Sequence, residues 1–487
     1  METSNKPGAK QLTPLDWLMP RYYMPQIYCF PSSNSRLRQS LQDGLSGLVT
    51  DIPFLLSGVV SQKQPLGSVA LGDPYRSVSD CFTWQDLSSE LDYNSLKKDH
   101  FPLPVFNEHD IIVPNTLKRP LPVPAPVFWA RLTLVRGGAF LYVGLHHSVA
   151  DMTGFGSIVK LWASYCRTGS SSAAGFDPSW LDRSAFCNLA SSIPIGINQG
   201  NIPGGLFYDD YLMPAAQAPC KPPQDRQFTT AIFHFAPGAL EQLKIAANAE
   251  ISALEDAGLP WVSTNDVLTA LLWSAVVCAE YDTSSTSDSD DVSHMALPVN
   301  FRSRWNPPLP NDYLGAACAR ASVISSKRDL LQLASAPWIG RTSKRDHDGF
   351  FEPKSARLLA KVSIAVRRAI MGVDVDELRR AIAFTASQSD LSRITQQPIQ
   401  ALMITSWADQ GACELDWGNV VGRCDAVRFA TFPTKVRPII LPRLHDGEGG
   451  GLEVLVSLNQ EEIKRFRESA LVKQFGSLRT SVFLGNQ

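Results

Sequence analysis

The stretch LYVGLHHSVADMTGF, residues 141–155, carries an apolar run into two adjacent histidines, with an aspartate four residues after the second. Upstream, VFWARLTLVRGGAFLYVGL (127–145) reads as two strands joined at Arg136-Gly137-Gly138, a hairpin signal. Downstream, Phe155, Ile158, Val159 and Trp162 recur at helical spacing. The motif therefore occupies a strand-to-helix turn. A neutral imidazole has a pKa near operating pH and can take a proton from an alcohol as its oxygen attacks a carbonyl. On these residues alone three readings stand: a catalytic base, a metal site, or a buried turn with a hydrogen-bonded histidine pair. A metal site needs a third ligand, adjacent histidines point to opposite sides of an extended chain, and the sequence holds no H-E-x-x-H pair. Asp151 can orient the histidine or anchor the loop through an arginine elsewhere.

Working outward, 487 residues exceed what one hydrophobic core organises, so two domains are expected. LDWLMPRYYMPQIYCFP (15–31) and the segment after it read as a short strand followed by a helix. Between Thr168 and Arg226 the chain turns rich in Gly, Ser and Pro, and periodicity disappears. FTTAIFHF (228–235) restarts a strand, and PGALEQLKIAANAE (237–250) a helix. VSTNDVLTALLWSAVVCAEY (262–281) is a strongly apolar helix capped by Ser263, Thr264 or Asn265. Strands mix with helices and no internal repeat appears, which indicates α/β or α+β with two sheets. The expected division is an N-terminal domain over 1–190 carrying the His/Asp motif, a crossover over 191–226, and a C-terminal domain over 227–487.

Apolar residues make up 44% of the chain and charged ones 19%, the composition of an ordinary globular protein. A formal net charge of -2 without a dense Lys/Arg tract argues against nucleic acid or anionic membrane as a partner. The nine cysteines are scattered and form no C-x-x-C pair, so they read as small buried hydrophobes of a reducing compartment. The first residues lack an apolar h-region and no apolar run approaches the length of a span. The expectation is a cytoplasmic monomer without metal or membrane segment.

HHSVADMTGF resembles the HHxxxDG motif of BAHD acyltransferases, of the fungal trichothecene acetyltransferases and, more remotely, of peptide-synthetase condensation domains. Other stretches match in the family's order. LTPLDWLMPRYYMPQIYCFP (12–31) resembles the amino-terminal segment of the fungal branch. VSTNDVLTALLWSAVV is similar to the family's helix after the crossover, and VNFRSRWNPPLPNDYLGA (299–316) to its arginine-containing strand and proline-rich turn. ITSWADQGACELDWGNVVG (404–422) resembles the segment that ends in DFGWG. Two departures stand out. Met152 follows Asp151 where the motif has glycine, with Gly154 two places later, and the DFGWG segment reads Asp416-Trp417-Gly418-Asn419-Val420.

The resemblance implies two chloramphenicol-acetyltransferase-like domains, each a mixed sheet with flanking helices, joined by a long crossover loop. It implies an acyl-CoA-dependent O-acyltransferase, with acetyl-CoA as co-substrate, no bound cofactor, and a hydroxyl of a small secondary metabolite as acceptor. His147 takes the place of the general base, Asp151 that of the structural acid, and Arg302 that of the acid's partner. Thr405 and Trp407 line the reaction centre, the Thr405 hydroxyl as an oxyanion donor, while His146, Met152 and Gly154 border the pocket. Asp416, Trp417 and Gly418 form a structural motif away from the reacting atoms. The alternatives are a condensation-type enzyme that takes its acyl group from a carrier protein, a metal-dependent hydrolase, and a non-catalytic ligand-binding relative.

Overall fold

The computed structural model describes residues 11–117, 120–169, 175–191, 207–208, 227–254, 258–281, 292–336, 338–339, 350–392, 394–395, 402–429, 435–445 and 449–484. Most of the 191–226 crossover lies outside the described residues.

In the first half, strands β1 (Tyr23–Phe30), β2 (Phe82–Asp86), β3 (Phe128–Val135) and β4 (Gly138–His146) share a sheet, with helices α1 (Leu37–Asp51) and α2 (Met152–Thr168) packed together. β4 runs between β1 and β3, antiparallel to both, and is buried along all nine residues because its faces pack into two apolar clusters, Leu141, Val143 and Leu145 into one and Phe140 and Tyr142 into the other. That position explains its unbroken apolar run, since a strand covered on both faces has no reason to alternate. The β3–β4 turn is Arg136-Gly137, with Gly137 at φ 83° and Gly138 already in β4. α1 and α2 close the core below, where the Trp162 indole nitrogen donates to the Leu41 carbonyl at 3.0 Å. α2 ends on Gly169 at φ 66°, whose amide reaches the Tyr165 carbonyl.

The second half supplies β5 (Phe228–Phe235), β6 (Val292–Asn300), β7 (Cys318–Ser326), β8 (Leu402–Met403), β9 (Thr405–Ser406), β10 (Ala426–Arg428), β11 (Val436–Ile440), β12 (Leu452–Asn459) and β13 (Gly476–Leu484), and all of these but β10 form its two larger sheets. One runs β9-β11-β12-β5-β13 and the other β7-β6-β8. Helix α3 (Thr264–Glu280) is buried on nearly every side within this core, which accounts for its apolar sequence. Ser263 is its N-cap and forms a capping box: Asp266 Oδ2 accepts from the Ser263 amide at 2.7 Å and from its hydroxyl at 2.8 Å.

One strand crosses the expected division by sequence position. β10 belongs by number to the second half, yet it extends the first sheet by pairing antiparallel with β1, with Tyr28 opposite Val427. Trp417 follows it into the N-terminal core, where its ring stands 5.5 Å from Phe30 and 5.6 Å from Trp162. The exchange has a physical reason: β1 would otherwise be an unpaired edge. Arg428, buried at the end of β10, then bridges to Glu453 of β12 at 2.7 Å, so the same segment also ties the first sheet to the second half.

Candidate active site

β4 ends at His146 and α2 begins at Met152, so the motif residues lie in a tight turn between them. Asp151 is the N-cap of α2, its Oδ1 accepting from the Gly154 amide at 2.8 Å. The same carboxylate receives three more donors. Arg302 Nη2 reaches Oδ1 at 2.8 Å, Arg302 Nη1 reaches Oδ2 at 2.9 Å, and the Ala317 amide reaches Oδ2 at 2.8 Å. Burial by itself would raise the carboxyl pKa, but the Arg302 charge and these hydrogen bonds outweigh it and hold Asp151 below its ordinary value. Arg302 also donates to the carbonyls of Tyr313 at 2.9 Å and Gly315 at 3.0 Å and to Asn300 Oδ1 at 3.2 Å. Read alone, Arg302 looks like a surface charge at a strand end. It lies instead in the turn after β6, 1% exposed, joining the loop 302–317 to the turn after β4.

His147 is oriented differently. Its amide donates to the Tyr22 carbonyl at 2.8 Å, and its Nδ1 lies 3.2 Å from the Ala150 carbonyl oxygen. A carbonyl can only accept, so this contact places the proton on Nδ1 and leaves the lone pair on Nε2. Desolvation lowers the His147 pKa, and the Arg320 charge pushes the same way, while Asp151 and the backbone contacts oppose without reversing the shift. The side chain is only partly covered, so desolvation coexists with access to the ring. His146 points the other way, into the core. It is 2% exposed, its Nδ1 receives the Ser148 amide at 3.2 Å, and its ring stands edge-on to Tyr23 at 5.5 Å.

The remaining expected residues divide between two places. Met152 opens α2 and packs against the apolar cluster of Leu103, Ile232, Trp407, Phe429, Leu441 and Leu455, which joins the two halves. Its sulfur lies 3.5 Å from Gln410 Nε2, and Gln410 in turn accepts from Gln26 Nε2 at 2.7 Å. Trp407 is buried in the same cluster, its ring 5.4 Å from Phe429. Thr405 sits half-buried in β9, opposite Ile439. Two residues before it, the Met403 sulfur meets the guanidinium of Arg320, the residue whose charge bears on His147.

Gly154 meets a close approach, since a Cβ there would lie 3.0 Å from the Leu314 carbonyl oxygen and 3.1 Å from the Ala150 side chain. Gly154→Ala is therefore expected to cost about 1–3 kcal/mol of stability. Chemical denaturation measures this, and an unchanged midpoint would mean that the 302–317 loop parts from α2 freely.

The Asp416-Trp417-Gly418 segment lies at the opposite end of α2. Gly418 packs on Arg167, and Asp416 Oδ1 caps the Gly418 amide at 2.9 Å. Seventeen helical residues separate that end from Asp151, a length of roughly 25 Å. Among the described residues no group of three His, Cys, Asp or Glu stands together to hold a metal ion, and no helix is long and apolar enough to cross a membrane.

Reading the sequence did not single out Asp16, Arg183, Arg320, Gln26 or Gln410. Asp16 left one signal, the Thr13-Pro-Leu-Asp16 spacing of a capping box. The others are isolated polar residues whose partners come from distant segments.

Comparison with known proteins bears on the family and the fold. A family profile described as "Transferase family" matches residues 106–471, and one described as "Trichothecene 3-O-acetyltransferase-like N-terminal domain" matches 23–166. The O-acetyltransferase cpsE of Aspergillus campestris is 30% identical over 370 residues, 72% of this chain and 70% of that protein. The trichothecene 3-O-acetyltransferase TRI101 of Fusarium sporotrichioides is 26% identical over 449 residues, 90% of this chain and 88% of that one. The crystal structure of F. sporotrichioides TRI101 complexed with coenzyme A and T-2 superposes with a TM-score of 0.72 at 20% identity, covering 96% of this chain and 99% of that chain. Vinorine synthase gives 0.58 at 17% identity, covering 96% and 94%. The fold is thus the two-domain, chloramphenicol-acetyltransferase-like α+β architecture that these structures share. With both the profile and cpsE matching over most of its length, this chain belongs to the Transferase family and is an acyltransferase.

Proposed function

We propose that the protein transfers an acetyl group from acetyl-CoA to a hydroxyl of a small secondary metabolite, with His147 as general base. The observation that carries this reading is the His147 ring itself: Nδ1 is committed to the Ala150 carbonyl, Nε2 keeps its lone pair, and desolvation keeps the ring neutral. Nε2 takes the hydroxyl proton as the acceptor oxygen attacks the thioester carbonyl. The Thr405 hydroxyl or a nearby backbone N–H stabilises the oxyanion. The intermediate then collapses, the C–S bond breaks, and the imidazolium returns its proton to the departing thiolate. No covalent acyl-enzyme is needed.

The division of the chain at the 191–226 crossover supports the same scheme. His147 comes from one side and Arg302 and Thr405 from the other, so donor and acceptor can meet at the junction with water excluded. The names of the relatives favour acetyl as the group and a fungal metabolite as the acceptor.

The direct test incubates the protein with acetyl-CoA and a panel of terpenoid, alkaloid and polyketide alcohols, with product mass and free thiol as readouts. An acetate ester with matching thiol release is expected. Transfer only from an acyl group held on a carrier protein would overturn the donor assignment.

The pH dependence follows from the lowered pKa. Protonated imidazole has no lone pair to offer, so activity is present above the folded pKa and is lost as pH falls through it. Because that pKa lies below the ordinary 6.5, the acidic limb of kcat/KM is expected below pH 6.5. A limb centred above 6.5 would assign the titration to another group.

A further inference from the structure

The chain just before β1 holds the His147 turn residue by residue. Tyr23 pairs with His146 across the sheet. The Tyr22 carbonyl accepts the His147 amide, and the Tyr22 ring stands edge-on to the imidazole with centroids 5.6 Å apart. Arg21 Nη1 donates to Ser148 Oγ at 2.6 Å. Val149 is reached through a side chain from elsewhere: its carbonyl accepts from Arg183 Nη2 at 2.9 Å, while Arg183 Nη1 binds Asp16 Oδ2.

Asp16 is itself tied in two further directions. Its Oδ2 accepts from the Thr13 amide at 2.8 Å, and its Oδ1 accepts from the Ala316 amide at 2.9 Å. The next amide, Ala317, is the one that binds Asp151. Two consecutive amides of one loop are thus read by two buried carboxylates, and each carboxylate has its own arginine, Asp16 with Arg183 and Asp151 with Arg302. Leu15, Met19, Phe186 and Tyr313 sheathe the arrangement in a single apolar cluster. Asp16 is 0% and Arg183 2% exposed.

A buried ion pair of this kind is weak evidence for stability, because desolvation cancels much of the Coulomb gain. The bond from Arg183 to Val149 gives the pair another use. The turn between β4 and α2 has to place His147 against a substrate oxygen, and a displacement of 1 Å there costs roughly a hundredfold in rate. We propose that the segment Thr13–Tyr23, with the Asp16–Arg183 pair, is a positioning strap that fixes the His147 turn in register with the Asp151–Arg302 pair. The inference rests on His147 as the base. Asp16, Arg21 and Arg183 act through the turn, so they are positioning residues.

Arg183→Lys isolates the positioning role. A lysine keeps the charge beside Asp16 but replaces the two-pronged fork with one ammonium, so the bond to Val149 is lost. Wild-type, Arg183→Lys and His147→Ala proteins are compared for thermal midpoint, KM for acetyl-CoA and kcat. The expected Arg183→Lys result is a near-normal midpoint, a KM within about twofold and a kcat lowered about tenfold or more. A folded Arg183→Lys protein with wild-type kcat overturns the strap. If Arg183→Lys does not fold, Arg21→Met, which cuts the tie to Ser148 at the partly exposed rim, takes its place. A kcat lowered about threefold or more at unchanged KM supports the strap, and wild-type kcat overturns it. Transfer retained by His147→Ala brings down the base assignment itself. An inactive His147→Ala beside a full-speed strap variant brings down the strap alone.

Discussion

His147→Ala is expected to lower acetyl transfer by about 10²–10⁴-fold in a protein that keeps its fold. The two halves of that expectation have separate causes. The rate falls because the acceptor hydroxyl loses the group that takes its proton, and Asp151 does not stand in: both its oxygens are filled by Arg302 and by backbone amides. The fold survives because the imidazole is only partly buried and its side chain is held by a 3.2 Å approach to one carbonyl and an edge-on ring contact with Tyr22. The backbone bond from His147 to Tyr22 does not need the side chain. Steady-state kinetics beside circular dichroism and thermal melting make the measurement. A folded variant with transfer near the wild-type rate would remove the imidazole from the mechanism.

Asp151→Ala is expected to fail in the opposite manner, through the fold as well as the rate. Removing the carboxylate leaves the Arg302 guanidinium buried without its counter-ion, a loss of about 3–5 kcal/mol. It also removes the N-cap of α2, worth about 1 kcal/mol, and strands the Ala317 amide. Urea unfolding should show a large fall in midpoint, with soluble yield falling in parallel. A stability within about 1 kcal/mol of wild type would show that Arg302 finds other partners and that the pair is not the anchor of the turn. The contrast between the two variants is informative in itself. A relay from Asp151 to His147 would add a loss of kcat in folded Asp151→Ala protein that approaches that of His147→Ala.

Much of this arrangement is written locally in the sequence, and the parts that are not share a cause. The β3–β4 hairpin, the turn and α2 are legible because strand alternation, a glycine turn and helical spacing follow one another within forty or so residues. β5 falls on 228–235 as its apolar run indicates, and α3 is capped by Ser263, one of the three caps its sequence offers. β10 is different. Three residues, Ala426–Arg428, carry no periodic signal, and their partner β1 lies some four hundred positions away, so only the folded sheet reveals the exchange. The same limit hides Asp16 and Arg183, whose meaning depends on each other and on the amide of Ala316.

Met152 is the instructive departure. At the position after Asp151 the family motif has glycine, yet here it is Gly154 that faces the close approach of the Leu314 carbonyl, and Met152 is free to carry a side chain. That side chain meets the Gln26–Gln410 amide pair and the cluster joining the two halves. The motif letter is lost while a glycine is kept where the backbone of another loop presses on the helix.

The most direct test of His147 as the base is product formation by wild-type and His147→Ala proteins assayed side by side with acetyl-CoA and an accepted alcohol, followed by mass spectrometry and thiol release. The expected result is an acetate ester and an equal amount of free CoA from the wild type, with only uncatalysed background from the variant. Ester formed at equal rates by both proteins would contradict it.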